Sequence, residues 1–222
     1  MTRIKIAEAK IKLPGFKQDF ERRIRAEILK KLTKKISSTN SKIKKRLTPA
    51  IIDAITNTNV YAGLSNGMLK GEVGLVDIGR LDNIIDAWAS NISVTYEKTN
   101  LKDSFGSINI GIINSNYADV LTLPEATYIY QNYKNRQVII DWLRWLLLEG
   151  GGIIISGYSF YKESGEGRTG MGIMKEDGGS WAVPQEFVGT AEDNFATRAL
   201  LDKGFQATLD DIVRQEITKG IK

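Results

Sequence analysis

Apolar residues recur every four positions from Phe16 through Phe20, Ile24, Ile28, Leu32 and Ile36, opposite a face of arginine and lysine. That spacing predicts a helix whose apolar stripe turns toward a core. The run Ser37-Ser38-Thr39-Asn40-Ser41 is expected to end it. A second helix is expected over about 42–57, with Thr48 as N-cap, Pro49 in its first turn and Ile51, Ile52 and Ile55 facing inward. Upstream, residues 3–13 alternate loosely and read as an edge strand or an extended arm, closed by the turn signal Pro14-Gly15.

The middle of the chain is mixed. Leu81, Ile84, Ile85 and Trp88 stand at helical spacing within 78–90. Residues 92–97 and 105–114 alternate like strands, and 127–130 reads as another. Residues 138–149, apolar on most sides, predict a buried helix stopped by Gly150-Gly151-Gly152, with a strand from Ile153 to about Tyr161. Ser164 to Gly170 is a glycine-rich loop. Thr190-Ala191-Glu192-Asp193 has a capping-box layout with aspartate in the place of the usual glutamate. It opens a long helix carrying Phe195, Leu200, Phe205, Leu209, Ile212, Val213 and Ile217. There is no internal repeat, low-complexity tract or long linker. The expected class is α+β: an antiparallel β-sheet flanked by long N-terminal and C-terminal helices. Residues 1–15 are expected to form an arm, and 16–222 a single domain.

Composition narrows the chemistry. The 222 residues include no cysteine and no histidine. Disulfides, thiolate sites, histidine-based metal sites and Ser-His-Asp catalysis are therefore excluded for this chain. An enzyme would have to work with carboxylates, lysine, tyrosine or serine, so the expectation is no enzyme, no metal and no cofactor. Glu125, Asp119 and Asp141 are scattered carboxylates without a recognisable pairing, and are expected to be solvated. No apolar run is long enough for a membrane span, and no leader peptide is expected.

Charge is divided unevenly. Residues 1–50 hold 16 Lys/Arg and four Asp/Glu, a net +12, whereas the remainder holds 15 and 22, a net −7. A basic arm on an acidic body suits contact with nucleic acid or with the acidic surface of a neighbouring copy.

Two motifs need weighing. Gly165-Glu166-Gly167-Arg168-Thr169-Gly170-Met171-Gly172 lacks the Lys-Ser/Thr pair of a phosphate-binding loop, and Glu166 would repel phosphate. The reading kept is a mobile loop ordered by a neighbouring copy, with Arg168 bonded to a carboxylate or backbone carbonyls there. Trp181 and Phe187 flank Pro184 and are expected to hold the base of that loop against the last helix. Trp142 and Trp145, three residues apart, are expected in the core.

Three segments carry a resemblance to a known family. They are Leu64-Ser65-Asn66-Gly67-Met68-Leu69-Lys70-Gly71-Glu72-Val73-Gly74-Leu75, then Asp141-Trp142-Leu143-Arg144-Trp145-Leu146-Leu147-Leu148-Glu149-Gly150, then the series from Arg168-Thr169-Gly170 through Trp181-Ala182-Val183-Pro184-Gln185-Glu186-Phe187-Val188-Gly189-Thr190 to Asn194-Phe195-Ala196-Thr197-Arg198-Ala199-Leu200. Together they resemble the neck and tail-completion proteins of tailed bacteriophages, from about residue 16 to 205, with the middle (about 90–160) as an elaboration. The resemblance implies a small α+β domain with a long N-terminal helix. It also implies a virion structural protein in a homo-oligomeric ring, typically of six copies, at the head–tail interface around the DNA channel. Its partners would be itself, the tail terminator and the connector or stopper, with sequence-independent contact to channel DNA and none to membrane. Its location would be the virion neck or tail, and the host cytoplasm during assembly. The expected subunit-interface residues are Arg168, Thr169, Trp181, Glu186, Arg22, Arg23 and Arg25. The alternative is a sequence-independent nucleic-acid-binding protein using the basic N-terminal half.

Overall fold

The computed structural model describes residues 16–97, 107–112, 116–131, 135–163 and 165–221. The strand or arm expected over 3–13 lies outside them. One helix, α1, runs from Phe16 to Thr56 without interruption. The expected stop at Ser37–Ser41 does not occur, because tertiary contacts hold the polar run helical. Thr39 is buried, and the Asn40 side-chain amide donates to the Val94 carbonyl at 3.0 Å. Pro49 sits inside the helix rather than opening a new one. Thr48 caps nothing; its hydroxyl lies 3.1 Å from the Lys44 carbonyl and 3.2 Å from that of Ala89.

From residue 39 onward α1 is the spine of the core, with Ile43, Leu47, Ile51 and Ile55 fully buried. The short helices α2 (Asn59–Ser65) and α3 (Met68–Val73) and the amphipathic α4 (Gly79–Ser90) pack around it. In α4 the expected stripe Leu81, Ile84, Ile85 and Trp88 is buried. Helix α8 (Lys203–Ile221) lies antiparallel along α1, joined by Arg46 and Glu216 at 2.9 Å. The single long C-terminal helix expected is divided: α7 (Phe195–Leu201) ends at Asp202, whose extended backbone breaks the helix. The Asp202 carboxylate then accepts from the Gly204 amide at 2.7 Å and starts α8. Asn194, not Thr190, caps α7, in a reciprocal capping box with Thr197.

The mixed α+β class is observed, but its strands form three separate antiparallel hairpins instead of one sheet. They are β1 (Ser93–Glu97) with β2 (Ser107–Gly111), β3 (Tyr128–Gln131) with β4 (Gln137–Ile140), and β5 (Ile153–Tyr161) with β6 (Ile173–Ala182). The one-turn helix α5 (Ala118–Leu121) follows β2. The helix expected over 138–149 is shorter, α6 (Trp142–Leu147). Val138, Ile139 and Ile140 are in β4, where β-branched side chains fit a pleated surface better than a helix.

Asn194 ties the body together. It is fully buried, and its amide nitrogen reaches the Tyr117 hydroxyl (2.6 Å), the Thr190 carbonyl (2.9 Å) and the Leu147 carbonyl (3.4 Å). Its oxygen accepts from the Ala196 and Thr197 amides. Tyr117 in turn donates to the Ala191 carbonyl at 2.9 Å.

Candidate functional site

The first half of α1 continues beyond the body. Phe205 lines a groove with Ala54, and Glu216 pairs with Arg46, so α8 covers α1 only from about residue 57 back to about 40 before ending at Ile221. Residues 16–38 therefore form a helical rod about 34 Å long, at 1.5 Å per residue, beyond the stretch that α8 covers. Asp19 and Arg23, Glu21 and Arg25, and Glu27 and Lys31 are each four apart with the acid first, the spacing that stabilises a solvated helix.

Between Glu21 and Ser38, every side chain whose exposure is described is exposed. Ile24 is 42% and Ile28 52% exposed, so these two members of the stripe expected to face a core face solvent. Arg22 and Arg23 are exposed on the same rod. Arg25 lies on it too, its side chain outside the described ones. The apolar repeat of the rod continues into the buried series Ile43, Leu47, Ile51 and Ile55. Among the described side chains of the repeat, those from Ile43 onward are buried, whereas Ile24 and Ile28 are exposed.

A second surface surrounds Arg168 at the end of hairpin β5–β6. The loop closes on itself through backbone hydrogen bonds from Gly165 to Gly170 (2.9 Å) and from Gly172 to Glu166 (3.2 Å). Thr169 is half-buried and accepts from the Met171 amide at 3.3 Å. Arg168 is held by its own chain. Its guanidinium lies 4.3 Å from the centre of the Tyr130 ring and 4.9 Å from that of Tyr128, and donates to the Tyr128 hydroxyl at 3.2 Å. Tyr128 donates onward to the Val73 carbonyl. Burial raises the Tyr128 pKa above its ordinary value, so the ring stays a neutral donor.

This clamp needs Gly74. Its φ is +68°, and a Cβ there would lie 2.4 Å from the Tyr128 hydroxyl and 2.7 Å from an Arg168 nitrogen. The two tyrosines and the glycine were missed in the sequence. The signal available was the alternation of Tyr128 and Tyr130 on one face of β3.

Trp181 and Glu186 come together through Glu72 on α3. The Trp181 indole lies close enough to the Glu72 carboxylate to favour its ionisation, and the charge of Glu186 close enough to disfavour it. Glu72 Oε2 is buried and has no hydrogen-bond partner among the described residues. Burial is the largest cause of the raised Glu72 pKa; the indole opposes it and Glu186 adds to it.

Trp181 packs on Trp145 of α6 with ring centres 5.7 Å apart. Phe187 is half-buried and rests on Gly63 of α2, where a Cβ would stand 3.1 Å from its ring. Trp181 thus anchors the hairpin to α6, and Phe187, in the segment after it, rests on α2. The three segments that carry the sequence resemblance meet around Trp181. Glu72 comes from the first, Trp145 from the second, and Trp181 and Glu186 from the third.

Among the described residues, no group of three or more His, Cys, Asp or Glu side chains is placed to hold a metal ion. None of the described helices is long and apolar enough to cross a membrane. Among the described residues, two open grooves lie beside the α7–α8 junction. One, of about 430 Å³, lies against the second half of α1 and includes Ala50, Asp53, Ala54, Ala199, Asp202 and Phe205. The other, of about 340 Å³, includes Ile110, Ile112 and the exposed Leu201. No protein-family model, curated protein or solved structure matches the chain.

Proposed function

We propose that the chain is a non-enzymatic assembly protein that builds a closed ring from copies of itself. By the resemblance of its three segments, it serves as a structural component of a tailed-bacteriophage virion. There it joins tail to connector at the head–tail interface. The observation that carries the assembly reading is the exposed Ile24 and Ile28 on a rod of α1 that no other part of the described chain covers. Monomers seldom leave an ordered apolar stripe on a helix in water, and such stripes mark protein interfaces.

Charge supports self-association. Exposed Arg22, Arg23, Lys30, Lys31 and Lys34 decorate the rod, while the remainder after residue 50 is net −7. Contact between two different patches of identical subunits is the kind that generates rings.

The same cations support a second reading, sequence-independent binding to nucleic acid, which would fall steeply with salt. Light scattering of the purified chain separates the two. Assembly gives multimers without added DNA, whereas the second reading gives single-chain mass until DNA is added.

A further inference from the structure

We infer that Ile24 and Ile28 of one copy seat in the groove between the second half of α1 and the α7–α8 junction of a neighbouring copy. The inference rests on the assembly reading above and adds the docking partner.

The two surfaces match in shape and charge. Ile24 and Ile28 are one helical turn apart and 42% and 52% exposed, so they form an apolar ridge on a rod. The groove has a floor of small and apolar side chains, Ala50, Ala54, Ala199 and Phe205, which lets another helix approach closely. Its edges carry Asp53 and Asp202, both exposed. The ridge is flanked by exposed Arg22, Arg23, Lys30 and Lys31. Laying an amphipathic helix into such a groove is a recurring recognition mode, in which apolar anchors supply affinity and flanking charges set orientation. The second groove, with Ile110, Ile112 and Leu201, has no acidic residue in its lining and offers the rod's cations nothing.

The ridge that seats in this groove belongs to another copy. Ile28 and Asp53 belong to the same continuous helix and stand about 38 Å apart along it at 1.5 Å per residue. A helix cannot fold its first half onto its second, so the ridge of one chain cannot reach the groove of that chain. Ridge and groove are different patches, so each copy offers one of each, and the contact propagates from copy to copy, into a ring where its rotation closes and into a filament where it does not.

The chain has no cysteine, which makes a site-specific test direct. Two singly substituted chains, Ile28→Cys and Asp53→Cys, are mixed and treated with a short thiol-to-thiol cross-linker. Both positions are exposed, and circular dichroism checks that each variant keeps its helix content. The expected result is a cross-linked heterodimer, at least tenfold more abundant than for Ile28→Cys mixed with Leu201→Cys, and lost when Ile24→Asp is added to the Ile28→Cys chain. Multimers by light scattering with no Ile28–Asp53 product, or with a product at Leu201 instead, would overturn the docking site and leave the assembly reading standing. A chain of single-chain mass at every concentration would overturn both.

Discussion

Ile28 and Ile43 lie on one helix and one apolar repeat, yet Ile28 is 52% exposed and Ile43 is fully buried. The difference is the partner. Helix α4 and strand β1 pack against the second half of α1, and α8, its carboxylate Glu216 paired with Arg46, ends before the first half begins. Substitutions at the two positions should therefore separate folding from assembly. Ile43→Ala should destabilise the monomer by about 2–5 kcal/mol, the cost of emptying a core site. Ile28→Ala should shift the unfolding midpoint little while weakening association. Chemical denaturation and sedimentation of the two variants side by side would check this.

Arg168 is expected to behave as an internal clamp first. Removing its contact with two tyrosine rings at an exposed site should cost about 0.5–1 kcal/mol in Arg168→Ala. Gly74→Ala should cost more, because the left-handed backbone alone penalises a side chain by about 1–2 kcal/mol and the new methyl also meets Tyr128 and Arg168. Equal midpoints for Gly74→Ala and the parent chain in urea would contradict the clamp.

Phe187 is half-buried, so Phe187→Ala should fall below the roughly 3 kcal/mol that a fully buried ring would set. Thermal unfolding measures it.

Glu72 predicts a pH dependence of definite sign. Its folded pKa is raised, chiefly by burial, above the ordinary 4.5. The folded state then holds the proton more tightly, so this group's stabilisation is complete below the unfolded pKa. It is lost as pH rises through the folded value. Glu72→Gln should raise the unfolding midpoint at pH 7, with the gain shrinking toward pH 4. A gain that grows as pH falls would contradict the burial of the carboxylate.

Sequence pattern made α4 legible because Leu81, Ile84, Ile85 and Trp88 fall on one face and all of them are buried. Strand β5 was equally plain, bounded by three glycines and opened by three isoleucines. Its partner β6 was not. Lys175-Glu176-Asp177-Gly178-Gly179-Ser180 shows no apolar alternation, and polar side chains meet across the pair. The Tyr161 hydroxyl meets the Asp177 carboxylate at 2.6 Å, and that of Ser159 meets it at 3.0 Å. The boundary between β4 and α6 was blurred because both are apolar and only Asp141 separates them. The rod of α1 was legible as a helix but not as an exposed one. Periodicity reports that a face is apolar, not whether the same chain covers it.

Of the residues expected at an interface, Arg22 and Arg23 stand on that exposed rod, while Trp181 is buried against Trp145. Reversing Arg22, Arg23 and Arg25 to Glu should abolish association at low salt while preserving helix content by circular dichroism. Unchanged multimers in the triple variant would show that the rod's charge is irrelevant to assembly.

The central claim is that the exposed ridge of α1 is an assembly surface. Light scattering of the full chain beside the Ile24→Asp/Ile28→Asp double variant, over a range of concentrations and without nucleic acid, tests it most directly. The account predicts multimers for the parent chain and single-chain mass, with unchanged thermal stability, for the double variant. Single-chain mass for the parent at every concentration, or equal multimers for both, would contradict it.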